Sequence, residues 1–179
     1  MIDTTLAKRY AKALVEIGLE NDKLDKYGAD LSGFTQLIES SRDLREVLVS
    51  PVFTKEDKKT IAGDVLSKMT ADPMVVNFVK VLIDRKRIDQ LQGINAAFAD
   101  KVDEIRGITR GEIISAEPLT DEDMNQVTEA LSKLSGKKVL LEAKVNDFLI
   151  GGLYAKVGDM VFDGTIRTQL NQLKESLKG

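Results

Sequence analysis

The chain has 179 residues, with 26 lysines and arginines against 29 aspartates and glutamates, and it contains no histidine, cysteine or tryptophan. That composition removes thiol nucleophiles, imidazole bases, Ser-His-Asp triads and metal sites built on nitrogen or sulfur ligands. An enzyme would have to work through carboxylate, lysine, tyrosine or hydroxyl groups. The formal net charge is -3, with 16 basic and 18 acidic residues through Ile105 and 10 and 11 beyond it, so neither part is a basic arm or an acidic tail. A charged footprint for nucleic acid is therefore not expected. No apolar run approaches the roughly 18 residues of a membrane span, and the first residues lack the basic-then-apolar pattern of a secretory signal.

Up to about Arg106 every apolar pattern has helical spacing. A first helix is expected to place Leu6, Tyr10, Ala13, Leu14 and Ile17 on one broad face, beside a second stripe of Ala7, Ala11, Leu14 and Gly18. A second carries Leu24, Tyr27, Leu31, Phe34 and Ile38, and a short third carries Leu44, Val47 and Leu48. Pro51 disfavours helical geometry at Ser50 and ends that element. Thr54-Lys55-Glu56-Asp57 is a variant capping box, with Asp57 in the usual glutamate position, leading into Ile61, Val65, Leu66 and Met69. Asp72-Pro73 pairs a cap with proline at the first helical position, where its missing N–H is harmless. A sixth helix runs through Leu91, Ile94, Phe98, Val102 and Ile105. Short connections between six helices predict a compact bundle over residues 1–106.

The pattern changes at Gly107. Ile108 to Ala116 is expected to be a strand, weakened at Gly111 and Glu112 and ended by Pro118. Thr120-Asp121-Glu122-Asp123 starts a helix with acidic residues at its positive dipole end. Met124, Val127, Leu131 and Leu134 line that helix before Gly136 stops it, and Val139, Leu141, Ala143 and Val145 then alternate as a strand. Leu153–Val157 and Met160–Phe162 flank Gly158-Asp159, a strong hairpin signal because glycine reaches positive φ without steric cost. Asp163-Gly164-Thr165 offers capping oxygens to a closing helix with Ile166, Leu170, Leu173 and Leu177 at helical spacing. Residues 107–179 thus form a small α+β unit, and the fold class is α+β with a six-helix bundle in front.

Reaction chemistry is weakly represented. Asp121-Glu122-Asp123 reads as helix-start acids rather than a hard-metal site. Ser135-Gly136-Lys137-Lys138 resembles the end of a phosphate loop, but Leu131 stands where its first glycine belongs. Gly151-Gly152 reads as a turn or bulge, because no helix start follows at once. Lys58-Lys59 and Arg85-Lys86-Arg87 are short basic clusters of the kind found at solvated helix ends. Partner binding has better support. Met74, Val75, Val76, Phe78, Val79, Val81, Leu82 and Ile83 are too many apolar positions for one face of a surface helix. Such a helix is either central in its bundle or covered by another molecule, and a groove for an amphipathic partner helix is the sharper possibility. The small residues of the first helix would allow close approach, although alanine also suits helix surfaces by propensity alone.

Arg9-Tyr10-Ala11-Lys12-Ala13-Leu14 resembles the opening helix of the ATP synthase delta subunit family, whose mitochondrial counterpart is the oligomycin-sensitivity-conferring protein. Ile150-Gly151-Gly152 followed by Val157-Gly158-Asp159-Met160-Val161-Phe162-Asp163-Gly164 resembles that family's C-terminal signature, with Leu170, Leu173 and Leu177 continuing it. Thr165 stands where the family often has serine, and both can cap a helix. The resemblance implies a non-catalytic stator subunit, one copy in a hetero-oligomeric complex, tying the catalytic head of the F-type ATP synthase to its peripheral stalk. It implies no cofactor, metal, nucleic acid or membrane insertion. The N-terminal helix of an alpha subunit would lie between the first and fifth helices, on Ala7, Tyr10, Ala11 and Leu14 and on Val75, Phe78, Val79 and Leu82. The C-terminal unit, with motif residues Gly151, Gly152, Gly158, Asp159 and Asp163, would contact the C-terminal region of the b subunit. Ala11→Asp is then expected to weaken alpha binding and leave the bundle folded. The few residues before the first motif leave no room for a transit peptide, so a bacterial subunit on the cytoplasmic face of the plasma membrane is expected. An unrelated helix-bundle adaptor is the alternative, and a carboxylate-dependent hydrolase would need two acids converging in a pocket.

Overall fold

The computed structural model describes residues 4–146, 148–158 and 160–176. The chain divides into two compact units, Met1–Val102 and Asp103–Gly179. The first holds α1 (Thr4–Glu20), α2 (Leu24–Ser40), α3 (Arg42–Val49), α4 (Lys55–Lys68), α5 (Pro73–Asp84), a 3-10 turn (Ile88–Gln90) and most of α6 (Leu91–Ile105).

Local chemistry sets most of these boundaries. Ser41 caps α3 by accepting the Leu44 N–H at 3.3 Å, and Ser50 leaves helical geometry at ψ 136 just before Pro51. Thr54 and Asp57 form the reciprocal capping box of α4, and the Asp72 side chain caps α5 in front of Pro73. Three helices end through left-handed residues that are not glycine: Asp22, Thr70 and Lys86, at φ 54, 53 and 56. After each, the next amide reaches back to close the helix, Lys23 to Gly18, Ala71 to Leu66 and Arg87 to Leu82, at 2.9, 3.0 and 2.7 Å. These are Schellman closures made without the usual glycine.

Leu14, Leu31, Phe34, Leu48, Leu66, Val75, Val79, Leu82 and Ile94 are fully buried and form the centre of the first core. Glycine lets helices approach within it. A Cβ on Gly18 would stand 2.8 Å from Leu24 Cδ2 and 3.3 Å from Tyr27 Cδ2.

A charged residue lies within the first core. Asp30, 5% exposed on the inner face of α2, accepts from Lys26 Nζ at 2.8 Å and from the Asp72 backbone N–H at 2.8 Å. Lys26 also donates to the Thr70 carbonyl at 3.0 Å, and Asp72 accepts from Lys23 Nζ at 2.9 Å. The buried carboxylate therefore ties α2 to the turn that launches α5. Asp30→Ala leaves a buried N–H unpaired and should cost about 2–3 kcal/mol, discounted for the half-exposed lysine. Asp30→Asn keeps one acceptor and should cost less; urea unfolding followed by far-UV circular dichroism checks both.

The second unit contains β1 (Ile108–Ser115), α7 (Asp121–Ser135), β2 (Lys138–Val145), β3 (Leu153–Val157), β4 (Met160–Asp163) and α8 (Ile166–Ser176). The sheet order is β2-β1-β3-β4. β1 and β2 are parallel, joined through α7, and the β1–β3 and β3–β4 pairs are antiparallel. Ile113, Leu131, Val139, Ala155 and Val157 make the small core. Thr120 and Asp123 form a second capping box, and Gly136 closes α7 at φ 67. Gly111 lies opposite Leu141 and Val157, and a Cβ there would sit 2.8 Å from both the Lys156 carbonyl and Val157 Cγ2. The break in the β1 pattern is a demand for space.

Two expectations fail in this unit. Leu134 is 66% exposed, because the packed face of α7 is Met124, Val127 and Leu131. Ala143 and Val145 are exposed despite clean alternation: β2 is an edge strand, and α7 covers only its beginning. Val157 pairs with Met160 across a two-residue loop, where Gly158 has φ 59. Asp159 and Leu177 lie outside the described residues.

Candidate functional site

The eight residues expected to line a partner groove do not share one environment. Ala7, Ala11, Leu14, Val75, Val79 and Leu82 are core residues, Ala11 only 1% exposed. These side chains pack within their own bundle. The small residues of α1 serve close packing inside the chain, as Gly18 against Leu24 and Tyr27 shows. Tyr10 and Phe78 remain half-buried at the surface. They meet edge to face, ring centroids 6.3 Å apart at 73°, a geometry favoured by the aromatic quadrupole.

Around that pair the two helices present apolar stripes at i, i+4 and i+7 spacing. On α1 the stripe is Leu6, Tyr10, Ala13 and Ile17, half-buried except for exposed Ala13. On α5 it is Met74, Phe78 and Val81, with Val81 46% exposed. The expected groove set on α1, Ala7, Tyr10, Ala11 and Leu14, shares only Tyr10 with this stripe. Both stripes are apolar and lie about 100° apart on the helix, one residue's rotation, and Tyr10 and Phe78 are the expected groove residues that lie on the exposed strip.

The C-terminal motif is built for holding backbone. Gly152 has φ 84, and a Cβ on it would collide with the Gly164 carbonyl oxygen and approach Thr165 Cα to 2.9 Å. The Ile166 N–H donates to the Gly151 carbonyl at 3.0 Å, and the Gly164 N–H to the Leu153 carbonyl at 2.9 Å. Asp163 accepts from the Thr165 N–H at 3.0 Å and the Thr168 hydroxyl at 2.8 Å. Gly151, Gly152, Asp163 and Gly164 thus form a clasp that aims α8. The apolar side of α8 is open: Ile166 is 38% exposed, and Leu170 and Leu173 are each 57% exposed. The expected closing helix therefore leaves its apolar side on the surface.

Hydrogen bonds from the Thr165 backbone and side chain, then from Thr168, hold the Asp163 carboxyl below its ordinary range; Thr120 does the same to Asp123. A lowered native value means that the unfolded chain takes up the proton first on acidification. The capping contribution is complete above the ordinary carboxylate range and disappears as pH falls through the native value. Unfolding midpoints of the native chain and Asp163→Asn should differ at neutral pH and converge in acid.

Among the described residues no helix is long and apolar enough to cross a membrane, and no group of three or more acids could hold a metal ion. Fold and surface together define the class: a two-unit α+β protein with an apolar strip on the first unit and an apolar helix side on the second. The ATP synthase delta (OSCP) subunit model matches residues 6–177. ATP synthase subunit delta of Geobacter metallireducens is 44% identical over 178 residues, 99% of each chain. That of Desulfosudis oleivorans is 35% identical, over 99% of this chain and 97% of its own. A chain of the Toxoplasma gondii mitochondrial ATP synthase hexamer shares the fold, with TM-score 0.71, 22% identity and coverage of 97% and 98%. The chain belongs to the ATP synthase delta (OSCP) subunit family. Its role is that of a stator subunit, structural and non-catalytic.

Proposed function

We propose that the helical unit, acting as a six-helix bundle over residues 1–106, binds the N-terminal helix of an ATP synthase alpha subunit. The binding surface is the strip Leu6, Tyr10, Ala13 and Ile17 with Met74, Phe78 and Val81. The observation that carries this is the Tyr10–Phe78 edge contact, which joins two apolar stripes into one surface. An amphipathic helix presents apolar anchors at the same i, i+4, i+7 spacing. Burying several hundred Å2 contributes roughly 25 cal/mol per Å2 before ordering costs.

The α+β unit, residues 107–179, offers the Ile166, Leu170 and Leu173 side of α8 to the C-terminal region of the b subunit. One copy then ties the catalytic head to the stalk at the cytoplasmic face of a bacterial membrane. The head is held against rotor torque, so that proton flow drives ATP synthesis instead of idle rotation. Calorimetric titration of the full chain with an alpha-subunit N-terminal peptide tests the first contact. Saturable binding with a negative heat-capacity change is expected. No binding by the folded chain would overturn this contact and leave the family membership untouched.

A further inference from the structure

The sequence carries basic clusters at Lys58-Lys59 and Arg85-Lys86-Arg87 that the docking strip does not use. In the structure one lysine of each, Lys58 and Lys86, borders a cavity of about 400 Å3 at the loops that follow α3 and α5, floored by Leu48, Ile83 and Ile88. Three lysines lie around it. Lys55 is spent on the end of α5, donating to the Asp84 carbonyl at 2.8 Å. The side chains of Lys58 and Lys86 have no hydrogen bond or ion pair among the described residues. Lys86 sits on the left-handed turn at φ 56, its backbone pinned where Arg87 reaches back to Leu82. A rigid turn therefore holds an unpaired cation beside an apolar seat.

The depression does not stop there. Val49, 50% exposed, belongs both to this cavity and to a shallower one lined by Arg42 and Arg45. Neither guanidinium has a partner among the described residues. Against these four cations stand Asp89, whose carboxylate already accepts from Gln90 Nε2 at 2.6 Å, Glu46 and Glu39, which lines the adjoining depression with Arg45 and Val49. The track is thus locally positive in a chain of net charge -3. Cations at both ends of an apolar seat match a ligand with acids on either side of an apolar group. A small amphipathic anion would satisfy only one end.

We propose that this track binds an acidic peptide segment in extended form. One large apolar side chain sits on Leu48, Ile83 and Ile88, and carboxylates pair with Lys58 and Lys86 on one side and Arg45 on the other. The surface is separate from the α1–α5 strip and independent of the stalk reading. Unpaired flexible lysines at a partly desolvated rim favour on-rate and charge selectivity.

The test uses the full chain and a capped fluorescent hexapeptide, Glu-Asp-Leu-Phe-Glu-Asp, read by anisotropy. Its controls are the neutral Gln-Asn-Leu-Phe-Gln-Asn peptide and octanoate. Saturable binding is expected, weakened at least about ten-fold by Lys58→Gln with Lys86→Gln, by neutralising the peptide and by high salt. The melting temperature should not change, and Val81→Asp on the other strip should leave this affinity intact. Failure of the hexapeptide to bind, equal binding of the neutral peptide or of the double variant, or octanoate binding as tightly as the hexapeptide overturns the proposal.

Discussion

Gly152→Ala is expected to destabilise the second unit by about 3 kcal/mol or more, with little effect on the first. Two penalties coincide there. At φ 84 a side chain is strained, which costs about 1–3 kcal/mol. The new methyl would also meet the Gly164 carbonyl and Thr165 Cα, backbone atoms that cannot step aside as a flexible side chain would. Relief requires opening the clasp, with loss of the Ile166–Gly151 and Gly164–Leu153 hydrogen bonds. Among its described residues the unit has five buried hydrophobic residues in its core, so it has little reserve against such a loss. Gly136→Ala is the internal comparison: φ is +67, but nothing lies within 4 Å of the added Cβ. Only the conformational cost of about 1 kcal/mol applies there. Amide spectra of the two variants should separate them. Gly152→Ala should lose native resonances from 107 onward while those of the helical unit stay in place. An unchanged spectrum at both ends would show that the clasp does not hold the unit together.

The features legible in sequence share a physical cause, which is that they act within a few residues. The Thr54/Asp57 and Thr120/Asp123 boxes, the Asp72-Pro73 start and the pre-proline break at Ser50 are local bonds and clashes that no distant contact overrides. The two-residue loop between Val157 and Met160 was equally local. The Schellman ends at Asp22, Thr70 and Lys86 were invisible because none of them is the glycine that usually marks such a left-handed position. Asp30 was hidden for a related reason: an acid on an apolar helix face looks like an error until Asp72, far along the chain, supplies an N–H. The exposed side of α8 shows a different limit. Helical spacing identifies Ile166, Leu170 and Leu173 as one apolar side but cannot say which molecule covers it.

The same limit governs the docking strip and yields the sharpest pair of substitutions. Val81→Asp should abolish most alpha-peptide affinity, about thirty-fold or more, while the melting temperature stays within a degree or so. Val81 is 46% exposed in the chain alone, so its aspartate is solvated until a partner helix covers it. Desolvation is then confined to the complex, and the whole penalty falls on binding. Ala11→Asp should do the reverse of what its sequence position suggested. Ala11 is 1% exposed in the core that includes Leu14 and Leu31. Its aspartate would be an unpaired charge added to a filled site, costing about 3 kcal/mol or more of folding stability. Binding would fall only because less folded chain remains, and the affinity of the folded fraction would be retained. Calorimetric titration beside thermal melts distinguishes the two modes. If Ala11→Asp loses affinity at unchanged stability while Val81→Asp binds normally, the strip lies on the other face of α1, and the Tyr10–Phe78 contact is a core edge rather than the middle of a docking surface.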